Sequence, residues 1–294
     1  FNTITNVGST NASSFGTASN AANGRISMNI KDGRGVWFVG NDADRAATDR
    51  DWELASANTF SYLFANGAVP LTLNGNIYLT GGTILGGGSA GVINGNIMTT
   101  GGTGTAGTVR NAGNGTWTLT GQNTFDGSVQ VSAGGVLEFA TIGNVGGGPS
   151  SLGAPSAPAN GYIDFTGVTR TSSTTARFVG ATDQVSDRVF RIAVSPGTLD
   201  FNPALEASGA GTLRLTGGIQ NTQSSGTQTL ILGGTGEARR LADLLVARGD
   251  VDVISSLAGR TSAPLLPDGE VRSGGFGGPD GLAAWIAAAQ LSAV

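Results

Sequence analysis

"LNGNIYLTGG" at 73–82 and "INGNIMTTGG" at 93–102 follow one pattern: an apolar residue, Asn-Gly-Asn-Ile, two further residues, and Thr-Gly-Gly. The two segments begin 20 residues apart. Such a repeat of short apolar segments and Gly/Asn turns is typical of proteins whose stacked units share a continuous core. We therefore expect residues 65–228 to form a parallel β-solenoid in which Ile77 and Ile97 stack in one inward-facing column.

The same rhythm continues more loosely along the chain. In "GTWTLTGQNTFDGSVQVSAGGVLEFA" (115–140), Trp117 and Leu119, then Val129 and Val131, alternate with polar residues, which predicts strands with one buried face. Asn and Gly at the turns tolerate left-handed backbone, and equivalent Asn side chains are expected to form a ladder. The Pro-containing stretch at 146–161 is expected to project as a long loop.

Composition excludes several classes of function. The 294 residues include no Cys and no His, which rules out disulfides, Cys or His metal sites, a Cys nucleophile and a His base. The net charge is −4 and no basic cluster occurs, so no nucleic-acid partner is expected. No apolar run approaches the roughly 20 residues of a membrane-spanning helix.

Residues 1–64 are less regular, and 31–60 contain most of their charge. Five acidic residues could form a calcium site or a pair of glycosidase carboxylates. They are Asp42, Asp44, Asp49, Asp51 and Glu53. Because Asp42-x-Asp44 lacks the rest of a calcium loop, a solvated loop is the favoured interpretation. A carbohydrate-acting enzyme stays open as an alternative.

The stretch "GNGTWTLTGQNTFDGSVQVSAGGVLEFA" (113–140) resembles the autotransporter-associated β-strand repeat of bacterial passenger domains. The match is specific over about 115–140 and extends as strand rhythm over most of 65–232. The resemblance implies a right-handed parallel β-helix displayed outside the cell. It does not identify a ligand for the passenger.

From about residue 229 the pattern changes from strands alone to strands that alternate with helices. "TLILGG" (229–234) enters a glycine turn, and apolar positions at helical spacing predict a helix over 236–248 that ends at Gly249. Strands are expected within 251–260 and 270–278, and a second helix over 279–289. Strand and helix alternation predicts a parallel sheet.

The glycine turn "GGTGEAR" (233–239) lies at a predicted helix N-terminus, where free backbone N–H groups and the helix dipole favour a phosphate. Gly234 and Gly236 fit a dinucleotide-binding loop, but Arg239 stands where its third glycine belongs. After the second strand comes Arg260, which suits the 2′-phosphate of NADPH. The alternative is a glycine turn and a solvated arginine in another α/β protein.

Three strings together resemble the N-terminal part of the precorrin-6A reductases of cobalamin biosynthesis: "ILGGTGEARRLADLL", "SLAGRT" and "VRSGGFGGPDGLAAWI". The resemblance implies NADPH as cofactor, with no catalytic residue and no metal ligand in this stretch. The implied cofactor-binding residues are Gly233, Gly234, Thr235, Gly236 and Glu237 in the nucleotide loop, Ser256, Arg260 and Thr261 near the cofactor, and Gly275, Phe276 and Gly277 on the same rim.

The sequence thus predicts three segments, 1–64, 65–228 and 229–294. The expected fold class is mainly β, a right-handed parallel β-solenoid followed by a truncated α/β (Rossmann-like) fragment.

The two resemblances conflict in location: outer membrane or extracellular for 1–228, cytoplasmic for 229–294. We therefore expect a chimera joined at the shared string "TLILGGTG" (229–236). The tail is expected to be inactive alone and to self-associate. An alternative assigns precorrin-6A reductase identity to the whole chain.

Overall fold

The structure is a computed structural model that describes part of the chain. The described residues are 1–29, 35–55, 60–100, 107–167, 173–194, 202–221, 243, 247, 254–257, 270–273, 281, 284 and 285. The chain forms two compact units, Phe1–Ser225 and Gly226–Val294.

The first unit is built almost entirely from short strands. In most of them buried and less buried residues alternate, as the period-two pattern predicts. One short α-helix, α1 (Ala21–Gly24), and two 3₁₀ turns, Ala43–Arg45 and Pro158–Asn160, interrupt them. The strands are β1 Ile26–Asn29, β2 Gly35–Phe38, β3 Ala47–Thr48, β4 Trp52–Ala55, β5 Phe60–Ala65, β6 Leu71–Leu73, β7 Ile77–Leu79, β8 Gly82–Gly86, β9 Gly91–Ile93, β10 Ile97–Thr99, β11 Val109–Ala112, β12 Thr116–Leu119, β13 Val129–Ser132, β14 Val136–Phe139, β15 Ile163–Gly167, β16 Ser173–Phe178, β17 Gln184–Ser186, β18 Phe190–Val194, β19 Asn202–Ala207, β20 Leu213–Leu215 and β21 Ile219–Asn221.

Successive strands of this unit belong to different sheets, and all the strand pairs are parallel. A four-stranded sheet has the order β1-β4-β7-β10, and an eight-stranded sheet has the order β2-β5-β8-β11-β13-β15-β18-β21. A seven-stranded sheet runs β19-β16-β14-β12-β9-β6-β3, and β17 pairs with β20. Neighbours within a sheet are therefore distant in sequence.

The predicted fold class, a right-handed parallel β-solenoid followed by a truncated α/β fragment, is wrong. The described strands form five separate parallel sheets and no closed solenoid. The spacing of paired residues varies from 20 residues for Ile77 and Ile97 to 39 residues for Val136 and Thr175. Insertions such as 140–162 prevent the period of the two Asn-Gly-Asn-Ile segments from extending along the chain. The protein is mainly β, in parallel sheets with few helices.

The predicted pairing of the two repeat segments is confirmed. Ile97 lies opposite Ile77 in the four-stranded sheet, and both side chains are buried. The core continues with aromatic residues, of which Trp52 and Trp117 are fully buried. The Trp117 indole N–H donates to the carbonyl of Gly86 at 3.1 Å, so its one polar atom is satisfied inside the core.

The expected asparagine ladder is also present. The Asn94 amide donates to Asn74 Oδ1 at 2.9 Å, and the Asn96 backbone N–H donates to Asn76 Oδ1 at 3.1 Å. The expected reason for the intervening glycine is wrong, however. Gly95 has no left-handed backbone. A Cβ placed there would instead lie 1.9 Å from the carbonyl oxygen of Gly75. Close approach of neighbouring turns therefore requires glycine here.

Two segments expected to be irregular are better ordered than the sequence suggested. The interpretation of 31–60 as a solvated loop is wrong where the structure describes it, because β2, β3 and β4 lie within it. The stretch 146–161 does not simply project: Ser151 and Leu152 are buried, and Ser150 forms an antiparallel bridge with Asn123.

The described residues of the second unit include one parallel strand pair, β22 (Ile254–Leu257) with β23 (Glu270–Ser273). Both strands lie within the predicted ranges. Asp243 and Ala247 are helical, as are Gly281, Ala284 and Trp285, and these residues fall inside the two predicted helices. The bounds of those helices, and the predicted strand entering the glycine turn, lie outside the described residues. No helix in the described part of the chain is long and apolar enough to span a membrane.

Candidate functional site

Most of the predicted cofactor-binding residues lie outside the described residues. These are Gly233, Gly234, Thr235, Gly236, Glu237, Arg260, Thr261, Gly275, Phe276 and Gly277. Ser256 is the one predicted site residue that the structure describes, and it lies in β22.

The register of the second unit's sheet gives the setting of Ser256. Ile254 pairs with Glu270, and Ser256 pairs with Arg272. Because the two strands are parallel, their carboxyl ends lie at the same edge of the sheet. Ligands of open parallel sheets bind outside this edge. In sequence, Arg260 and Thr261 follow the end of β22, and Gly275 to Gly277 follow the end of β23.

Arg272 is a basic position on this sheet that the sequence analysis did not select. Its backbone lies opposite Ser256. Arg272 lies in the string "VRSGG" (271–275), within the strand predicted in 270–278. Searching the predicted strands for basic residues would have identified it.

The acidic residues of 42–53 have separate structural roles. Asp42 accepts from the backbone N–H of Asp44 at 3.1 Å and lies 3.3 Å from Arg45 Nε. Asp49 Oδ1 accepts from the backbone N–H of Val7 at 2.7 Å.

The carboxylates of Asp51 and Glu53 each accept a hydrogen bond from a neighbouring segment of the chain. Asp51 accepts from the backbone N–H of Asn76 at 2.8 Å, and Glu53 accepts from the Ser27 hydroxyl at 2.8 Å. Within the described ranges no group of three or more His, Cys, Asp or Glu residues is arranged to hold a metal ion. These contacts give Asp42, Asp49, Asp51 and Glu53 structural partners, and they do not favour the carbohydrate-acting alternative over the others.

Comparison with known proteins bears on the second unit. A family model described as precorrin-6x reductase CbiJ/CobK matches residues 228–294. A precorrin-6A reductase of Rhodococcus erythropolis is 56% identical over 68 residues, which are 23% of this chain and 27% of that protein. The corresponding protein of Mycobacterium tuberculosis is 50% identical over 68 residues, with the same coverage. One from Sinorhizobium sp is 53% identical over 57 residues, covering 19% of this chain and 22% of that protein.

These matches are confined to one end of the chain. No solved structure matches. The chain spans about a quarter of the length of the curated relatives it matches. Residues 228–294 are therefore a precorrin-6A reductase-like region, joined to a larger β unit that these matches do not cover.

Proposed function

We propose that residues 229–294 form the nucleotide-binding part of a precorrin-6A reductase-type enzyme and bind NADPH. The observation that carries the proposal is the 56% identity over 68 residues to a precorrin-6A reductase. The parallel pairing of β22 with β23 supports it, since parallel strands of this kind bind nucleotides at their carboxyl edge.

In this proposal the loop Gly233–Glu237 takes the cofactor's phosphates through backbone N–H groups at a helix N-terminus. Arg260, with Ser256 and Thr261 close to it in sequence, holds the 2′-phosphate that distinguishes NADPH from NADH. The residues Gly275, Phe276 and Gly277 form a second loop on the same rim. The groups that hold the nicotinamide and the tetrapyrrole are expected to lie in the part of the relatives that this chain does not span.

For the first unit we propose a passenger-type scaffold with no chemistry of its own. Its support is the resemblance of 115–140 to passenger repeats, with the ladders and close turns described above. This assigns 1–228 to the outer membrane or cell exterior and 229–294 to the cytoplasm, a conflict that a chimera explains.

The test is cofactor binding by the full chain, measured by titration calorimetry with NADPH and with NADH. Hydrogen bonds to charged groups contribute about 1.5–3 kcal/mol, so Arg260→Ala should weaken NADPH binding by about 10- to 100-fold and leave NADH binding unchanged. Arg214→Ala is the matched control, because Arg214 is exposed on β20 in the first unit. Equal losses for both cofactors, or no loss, would contradict the assignment.

Activity gives a separate readout. We expect no hydride transfer from NADPH to precorrin-6A by residues 1–294 alone, since they span about a quarter of the length of the curated relatives. Turnover that disappears in Arg260→Ala would confirm the cofactor site and overturn the proposed inactivity.

A further inference from the structure

Two stretches of the first unit share a sequence pattern that the 20-residue repeat does not explain. "NVGSTNASSFGTASNAANGRIS" occupies 6–27 and "NVGGGPSSLGAPSAPANGYID" occupies 144–164. Each is followed later by a similar tripeptide, Thr-Asp-Arg at 48–50 and Ser-Asp-Arg at 186–188. We call 3–54 the first module and 141–192 the second module. Their tripeptides are 138 residues apart, as Arg50 and Arg188 show.

The loops of the two modules fold with the same internal hydrogen bonds. In the first, Ser13 Oγ donates to the Gly16 carbonyl at 2.8 Å, and Gly16 has a left-handed φ of 70°. In the second, Ser150 Oγ donates to the Gly153 carbonyl at 2.7 Å, and Gly153 has a φ of 82°. The turn is therefore the same in both.

The wider closure of each loop also matches. The backbone N–H of Gly8 donates to the Ala18 carbonyl at 2.6 Å, and that of Gly146 donates to the Pro155 carbonyl at 2.7 Å. Gly8 and Ala18 of the first loop therefore correspond to Gly146 and Pro155 of the second, and each bond closes its loop at the same place.

The tripeptides hold these loops through matching contacts. Thr48 Oγ1 donates to the Thr5 carbonyl at 2.9 Å, and Ser186 Oγ donates to the Gly143 carbonyl at 2.9 Å. The following carboxylates accept backbone N–H groups at the start of each loop, Asp49 from Val7 at 2.7 Å and Asp187 from Val145 at 2.8 Å.

The arginine that ends each tripeptide contacts its loop at two places, one near the middle and one at the C-terminal end. Arg50 Nε donates to the Gly24 carbonyl at 2.6 Å and its Nη1 to the Phe15 carbonyl at 3.1 Å. Arg188 Nε donates to the Gly161 carbonyl at 2.8 Å and its Nη1 to the Leu152 carbonyl at 2.5 Å.

Both guanidinium groups are buried, at 5% exposure for Arg50 and 0% for Arg188. Within the described residues neither forms a side-chain ion pair, so their partners are backbone carbonyls. Burying a cation is costly unless its hydrogen bonds are made. Here Nε and Nη1 of each arginine donate to carbonyls of the loop, whereas Nη2 of Arg188 has no hydrogen-bond partner among the described residues.

The equivalent strand pairs of the two modules lie in different sheets. β1 and β4 of the first pair in the four-stranded sheet, whereas β15 and β18 of the second pair in the eight-stranded sheet. The shared geometry therefore belongs to the module and not to one position in the unit.

We propose that Arg50 and Arg188 are independent locks, each of which holds its own polar loop, 8–23 or 146–160, against the strands of its module. The loops are thereby presented as two separate ordered surfaces. Removing one arginine opens one loop and leaves the other closed.

The test is amide hydrogen exchange of the full chain with Arg50→Met and Arg188→Met, each module serving as the control for the other. Methionine keeps much of the buried volume but cannot donate to the two carbonyls. Losing these bonds should reduce protection of the Leu152 and Gly153 amides by at least about tenfold in Arg188→Met, with Phe15 and Gly16 within about twofold of wild type. Arg50→Met should show the reverse.

Arg177→Met is the control for loss of an arginine elsewhere in the unit, since Arg177 joins Glu138 and Glu206 on the sheet surface. It should change neither loop. If Arg188→Met unfolds the unit, Arg188→Lys keeps the charge but lacks the fork that reaches two carbonyls, and should open the second loop alone. Opening of both loops together, or of neither, would overturn the proposal.

Discussion

The two modules have the same hydrogen bonds but different surroundings. β1 of the first module is the outermost strand of its sheet, whereas β15 of the second lies between β13 and β18. Arg188 is fully buried, and burial lowers its pKa to about 10. Burial also lowers the pKa of Arg50, although the negative charge of Asp49 partly offsets this effect. The local sequence therefore determines how each loop closes, whereas the neighbouring strands determine how tightly it is enclosed.

The largest difference in mutational destabilisation between the modules is expected at the equivalent left-handed glycines Gly16 and Gly153. A Cβ on Gly16 would meet nothing within 4 Å, but one on Gly153 would lie 2.6 Å from the Phe125 carbonyl and 2.7 Å from its ring. Gly16→Ala should therefore cost about 1 kcal/mol from backbone strain alone, and Gly153→Ala about 3 kcal/mol from strain plus overpacking.

Urea unfolding of both variants measures this difference. Similar losses in the two would mean that Phe125 moves aside, and that the second loop is no more enclosed than the first. Gly148→Ala is a suitable control, because a Cβ there meets nothing within 4 Å and its φ is not left-handed.

The next effect should be the same in both modules. Thr48 Oγ1 and Ser186 Oγ are buried, and each donates to a carbonyl while accepting the N–H of the following arginine, at 3.1 and 3.2 Å. Removing either hydroxyl takes a hydrogen bond from one carbonyl and from one arginine backbone N–H. Thr48→Val and Ser186→Ala should therefore each lower the free energy of unfolding by about 1–3 kcal/mol. A loss in one module without the other would break the equivalence of the tripeptides.

The smallest effect is expected at Asp126, which contacts the loop of the second module. Asp126 accepts from the backbone N–H of Ser156 at 2.7 Å, from the Ser156 hydroxyl, and from the Asn160 amide at 3.0 Å. Burial raises the pKa of Asp126, but these hydrogen bonds outweigh it and hold the pKa below its ordinary value.

A lowered pKa in the folded state means that the contact stabilises the fold above the ordinary aspartate pKa and is lost as pH falls through the lower value. The Ser156 amide chemical shift should therefore titrate in acid below about pH 4, and Asp126→Asn should abolish that change. The Asn23 amide of the first module, which donates to Asn20, should serve as the internal reference. Titration of Ser156 that persists in Asp126→Asn would remove this difference between the modules.

In the second unit, residue spacing predicted the secondary structure, whereas the expected cofactor site came from the resemblance to a family. Helical spacing predicted helices around Asp243 and Trp285, and the strands containing Ser256 and Arg272 were also expected. The proposal that Arg260 holds a 2′-phosphate depends on the resemblance to a reductase family, because one basic residue after a strand fits many proteins. The register that sets Arg272 opposite Ser256 could not be read from either string alone, since it is a relation between two strands.

The sequence by itself determined the features that depend on near neighbours. Alternation of apolar residues fixed which side of a strand faces the core, and the repeated Asn-Gly-Asn-Ile fixed the pairing of Ile77 with Ile97. Tertiary structure decided how many sheets form, which strands join each, and why glycine is needed at position 95. It also brought Arg50 and Arg188 under loops whose carbonyls lie 26 or more residues away in the chain. Such contacts depend on register between distant strands, and a period of two residues does not distinguish registers that differ by an even number of residues.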